Sequence, residues 1–180
     1  QVDNTKTLVI GTVPAVSVNR VQADGTTSAV GDAAALSDLK SGTGAVILQV
    51  SGTLQLTDGV NANGWAIDAG TGTVDLEVTG ALQQDSGITA SGAITVNAAT
   101  ITMATGTQTL GATGAITYTA PGDVTLAKLS STTGPIQASA TAGTLTLNDT
   151  VSSQSGAITL NGDQIAQNAN VSTGAAPISY

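Results

Sequence analysis

The sequence predicts an all-β chain, a parallel β-solenoid of the right-handed β-helix type with coils of about 20–22 residues. The first observation is a glycine-led phrase that recurs at Gly52 (GTLQL), Gly72 (GTVDL), Gly92 (GAITV), Gly114 (GAITY), Gly134 (GPIQA) and Gly156 (GAITL), in steps of 20, 20, 22, 20 and 22 residues. A near-constant period of this size marks a solenoid, because one such coil cannot bury its apolar side alone and must stack on the next. The second is alternation inside the phrase: apolar pairs such as Ile94/Val96 and Ile158/Leu160 flank polar residues such as Thr95 and Thr159, the pattern of a strand with one buried and one wet face. The third is composition. With 22 Gly, no Phe, one Trp and two Tyr, the interior must be narrow and filled by Val, Ile, Leu and Ala.

Residues 1–43 stand outside this frame and are expected to form an N-terminal strand and short helix, a cap or assembly segment ahead of a solenoid over 44–180. The stretch TKTLVIGTVPAVSVNRV (5–21) alternates like one or two strands interrupted at Pro14. GDAAALSDLKSG (31–42) has the marks of a helix: Asp32 to cap its first turn, Lys40 in its last turn, and Gly42 for a left-handed exit. Beyond residue 43 each coil carries the glycine-led strand and then a second one, seen as ATITMA (99–104), GDVTLAKL (122–129) and GTLTLND (143–149), so two or three short strands per coil are expected. Gly, Asn and Asp between them suit corners.

Charge narrows the function classes. Twelve acids against four bases give a net charge of −8, which argues against nucleic acid, whose phosphates need clustered Lys and Arg. No apolar run approaches the ~18 residues of a membrane span. The chain begins at Gln1, as a secreted protein does after signal removal, and a trimmed chain would look the same. The Thr- and Gly-rich, Lys-poor composition leads to the expectation of an extracellular or cell-surface location.

GAITVNAATITM, GDVTLAKLSSTTGPIQASATAGTLTLNDTVSSQSGAITLNGDQI and NANVSTG together resemble the filamentous-haemagglutinin-like family of bacterial surface proteins. The resemblance is close over roughly residues 90–174 and looser over 44–89. It implies a secreted parallel β-helix with a non-catalytic role in adhesion, matrix or surface-fibre architecture. Residues 1–40 depart from the secretion domain such proteins carry at the amino end. Two expectations follow, a segment of a longer adhesin or a small subunit that builds a fibre by head-to-tail association.

Without His or Cys, no Ser-His-Asp, Cys-His, zinc or haem constellation can be assembled within the chain. The expectation is no catalytic, cofactor or metal site. Asp75 and Glu77 are the best carboxylate pair for glycosidic chemistry, two apart on one strand. They read more simply as a solvated strand. A polysaccharide-binding or polysaccharide-cleaving β-helix protein is the alternative, although Trp65 and Arg20 supply little of the aromatic and basic lining such grooves use. There is no calcium-loop motif, so Asp58, Asp68, Asp123, Asp149 and Asp163 are read as turn formers. The Thr71/Thr73, Thr117/Thr119 and Thr105/Thr107/Thr109 sets could form an ice-binding array, and are read instead as strand propensity. Asn148-Asp149-Thr150 and Asn170-Val171-Ser172 match the glycosylation triplet, which chance supplies in such a composition. Trp65 is expected either to lie over a coil or to meet a neighbour.

Overall fold

The computed structural model describes residues 6–15, 17–31 and 35–180. It is a parallel β-solenoid whose coils each carry three short strands, giving three faces. The first face stacks Val46–Val50, Val74–Val78, Ile94–Asn97, Ile116–Ala120, the leading halves of Ile136–Leu147 and Ile158–Gln167, and Ile178–Ser179. On the second lie Leu8–Ile10, Leu54–Leu56, Ala81–Gln84, Thr100–Met103, Val124–Leu126 and the trailing halves of the two long strands. The third is a sheet of seven: Leu39–Lys40, Trp65–Asp68, Gly87–Ala90, Gln108–Gly111, Lys128–Ser131, Val151–Ser153 and Val171–Thr173.

In-register parallel stacking places each side chain on its equivalent in the next coil, about 4.8 Å away. Ile94, Ile116, Ile136 and Ile158 therefore form one interior ladder, each at most 1% exposed. Leu54, Leu82, Ile101, Val124 and Leu145 make the matching ladder on the second face. Ile67, Ile88, Leu129 and Val151 are buried on the third. A three-sided core this narrow is closed by aliphatic side chains.

Two of the expected features are corrected. Gly52 does not open a coil equivalent to that of Gly72, because Val74 pairs with Val46 while Leu54 pairs with Leu82 and Leu8. The first coil thus spans 28 residues from Val46 to Val74, the extra length lying in loop 57–64. The described residues of 31–42 do not form the expected helix. Gly31 ends strand Thr27–Gly31, Leu36–Ser37 pairs antiparallel with Thr12–Val13, and Leu39–Lys40 joins the third face. Asp32 lies outside the described residues, and no helix occurs among those described. Helix propensity here is a weak bias that strand pairing overrides. Asp38, between the two short strands, takes a left-handed φ of 61° and accepts hydrogen bonds from Gly59 N (3.1 Å) and Asn61 Nδ2 (2.7 Å), tying loop 57–64 to the turn.

Before the first full coil, Leu8–Ile10 lies parallel to Leu54–Leu56 of the same chain. The described residues between Ile10 and Leu39 then leave the stack, and within them Ser17–Val21 and Thr27–Gly31 form an antiparallel hairpin. Asp24 closes its turn by accepting bonds from the Thr26 hydroxyl (2.7 Å) and amide (3.0 Å), which hold its carboxyl below the usual carboxylate range.

The glycine that opens each phrase has a steric cause. Gly44, Gly72, Gly92, Gly114, Gly134 and Gly156 stack at the corner entering the first face. A Cβ at Gly72, Gly92, Gly114, Gly134 or Gly156 would run into the backbone of the glycine one coil before it. Backbone cannot move aside as a flexible side chain can, so at these five positions a residue without Cβ is favoured, while in the last coil the equivalent corner residue is Ala176. At the next corner Gly80 N donates to Gly52 O (3.2 Å), Ala99 N to Gly80 O (2.8 Å) and Gly122 N to Ala99 O (3.0 Å). Gly114→Ala is expected to destabilise the chain by roughly 1–3 kcal/mol. Gly42→Ala, with nothing within 4 Å of its added methyl, should stay within about 0.5 kcal/mol of the parent. Urea unfolding of both variants checks the contrast, and equal midpoints would contradict the corner argument.

Candidate functional site

The side chains that point away from the first face form two columns. One runs Ile47, Asp75, Thr95, Thr117, Gln137, Thr159 and Ser179, the other Gln49, Glu77, Asn97, Thr119, Ser139 and Asn161. Hydroxyls and amides dominate both. Asp75 and Glu77 share this face, as their spacing predicts. Asp75 has Ile47 and Thr95 as register neighbours, and Glu77 has Gln49 and Asn97, so neither is set beside a base or a second acid in its column. The Glu77 carboxylate accepts a 2.5 Å hydrogen bond from Asn97 Nδ2.

Beside this pair, where the first face turns into the second, lies an open depression of about 300 Å³. Val78, Ala98 and Ala99 line it with Thr79, Asn97, Thr119 and Pro121. Val78 and Ala98 are buried, while Thr79 and Pro121 are exposed and Asn97 and Thr119 half-buried.

The other acids have local roles. Asp58 Oδ2 accepts from Gly64 N (2.8 Å), Asp68 Oδ1 from Gly70 N (3.1 Å) and Asp149 Oδ1 from Thr150 N (2.6 Å), consistent with turn formation. Asp123 instead reaches the next coil, accepting from Thr144 N at 2.9 Å. Asp163 is exposed. Among the described residues no group of three or more Asp or Glu is placed to hold a metal ion.

The threonine sets are dispersed. Thr117 and Thr119 face outward, Thr71 and Thr73 sit exposed at a corner, and Thr107 and Thr109 are buried while Thr105 is exposed. Trp65 lies over the adjacent coil, its ring against Gly87, where a Cβ would collide with it. Asn148 Oδ1 accepts from Asn168 Nδ2 (3.0 Å), a link between successive coils, and Asn170 is exposed. Arg20 is exposed on the hairpin.

A buried polar centre escaped the sequence reading. Gln84 from the second face, Thr109 from the third and Tyr118 from the first meet inside the solenoid, all 0% exposed. Tyr118 OH donates to Gln84 Oε1 (2.8 Å) and Gln84 Nε2 donates to Thr109 Oγ1 (3.1 Å). Since the Tyr118 proton is committed to Gln84, the 2.6 Å contact closes with Thr109 Oγ1 donating to Tyr118 OH. The three bonds form a ring that joins three faces and three successive coils. Each member polarises the next in a dry interior.

No family model, curated protein or solved structure matches the chain.

Removing one member of the ring strands buried partners. Tyr118→Phe is expected to cost about 1–3 kcal/mol, and the triple change Gln84→Leu, Thr109→Val, Tyr118→Phe less than the sum of the singles. Burial raises the Tyr118 pKa above its ordinary value of 10.0. The folded state thus holds a proton that the unfolded state releases, so this contribution is full below about pH 10 and declines as pH rises beyond it. Denaturation between about pH 8 and pH 11 should show that decline in the parent and a shallower one in Tyr118→Phe. Identical slopes would remove Tyr118 as its source.

Proposed function

We propose that this chain is a non-catalytic, extracellular structural protein of the filamentous-haemagglutinin-like kind, forming or belonging to a cell-surface fibre, adhesin stalk or matrix filament. The observation that carries this reading is the continuous stacking of like strand on like from Val46–Val50 to Ile178–Ser179, with outward columns composed mainly of Thr, Ser, Gln and Asn. A surface of this kind resists sideways collapse while the stack supplies axial stiffness. Asp75 and Glu77 without a base beside them in their columns favour a scaffold over a hydrolase.

The two ends of the stack support association along the axis. At one end Val46–Val50, Leu8–Ile10 and Leu39–Lys40 are edge strands, and at the other Ile178–Ser179 and Val171–Thr173 are. Their inward residues Val46, Leu48, Leu8 and Leu39 are only partly buried, and Ile178 is 37% exposed. An added coil, from a second copy or from further repeats of the same kind, would pair the free strand edges and extend each apolar ladder. Such a contact is heterologous, and nothing in it forces closure.

Electron microscopy and light scattering of the concentrated chain should show linear assemblies that Ile178→Lys abolishes. A chain that stays monomeric at high concentration contradicts axial association. Incubation with a panel of acidic and neutral polysaccharides should give no products. Product release that disappears in Asp75→Asn would replace the structural reading by the polysaccharide-cleaving one.

A further inference from the structure

The depression beside Glu77 and Asn97 has a specific cause. Between the first and second faces the coil below has three corner residues, Val78, Thr79 and Gly80, bounded by the register pairs of Glu77 and Ala81. The coil above also has three, Ala120, Pro121 and Gly122. The coil between them has two, Ala98 and Ala99, because Asn97 pairs with Glu77 and Thr100 with Ala81. One residue fewer than in the coils directly below and above leaves a gap here, with Thr79 and Pro121 as its two walls; farther along the stack the same corner varies again, with four residues at 140–143 and two at 162–163.

We propose that this notch binds one uncharged hexopyranose unit of a glycan. A pyranose ring has an apolar C–H face and an edge of hydroxyls, and needs apolar surface on one side with hydrogen-bonding groups beside it. Ala99 and Pro121 provide the apolar surface, with the nearly buried Val78 and Ala98 forming the floor beneath them. Thr79, Asn97 and Thr119 provide two hydroxyls and an amide. The bond to Glu77 uses one N–H of Asn97 Nδ2 and holds the amide in place, leaving Oδ1 to accept from a sugar hydroxyl and the second N–H to donate. With a carboxylate at the rim and no cation among the lining residues, acidic sugars are repelled. At about 300 Å³ the notch suits one ring and sits at the lower end of small-molecule sites. The inference goes beyond the structural role and stands independently of filament formation.

The test is a titration of the isotope-labelled chain with a neutral glucan trisaccharide, with trigalacturonate as the acidic comparison, read by amide chemical shifts. Saturable shifts confined to residues 78–79, 97–99 and 119–120 are expected, with a dissociation constant on the order of 10 mM for so small a contact. Asn97→Ala and Thr119→Val should each weaken binding about tenfold. A glycine inserted between Ala98 and Ala99 restores the three-residue corner and should abolish saturation, with the shifts of the third face unchanged as the measure of intact folding. Thr159→Val, on the same face but remote in the stack, should bind like the parent. The proposal is overturned if the neutral sugar leaves these shifts unmoved, if the insertion variant still saturates, or if trigalacturonate binds as tightly.

Discussion

Parallel stacking at a single repeat distance governs this molecule. Each strand residue lies against its own equivalent above and below, so a position must suit both a place in the coil and a copy of itself one coil away. At inward strand positions aliphatic side chains meet that demand, and the Ile94 to Ile158 ladder results. Corners bring backbone against backbone, which is why Gly72 through Gly156 return in phase with the strands. The repeated phrase records the contact between coils more directly than the shape of any one coil.

Departures from uniformity sit where stacking tolerates them. Tyr118 is the largest fully buried side chain, and its register neighbour Ala138 is small enough to leave it room. Its hydroxyl would be costly in an aliphatic core without partners, and Gln84 and Thr109 supply them from the other two faces. The corner between the first and second faces varies in length without disturbing either ladder. The notch at Ala98 and Ala99 arises from that freedom, so a repeat fold acquires a local surface feature through one missing residue.

Much of the fold was legible because alternation and period are local properties. The Ile ladder and the outward placement of Thr95, Thr117 and Thr159 follow from the two patterns together. Frame was harder. Gly52 mimics the opening glycine because it marks another corner, and only the long-range pairing of Val46 with Val74 reveals the 28-residue first coil. The helical marks over 31–42 describe local propensity, which the pairing of Leu39–Lys40 with Ile67–Asp68 overrides. Gln84 and Thr109 look like surface residues because the sequence does not state which three positions converge across the core. The notch was countable in principle, as the equivalent segments EVTGA (77–81), NAAT (97–100) and TAPGD (119–123) differ in corner length, but only once the coils are in correct register.

The central claim is that register, and it is tested most directly by nuclear Overhauser contacts between selectively labelled methyl groups of the intact chain. The account predicts contacts of Ile116 with Ile94 and Ile136, and of Leu54 with Leu82 and Leu8. Contacts from Leu54 to Val74 in place of Leu82, or the absence of Ile94–Ile116 contacts, would contradict it.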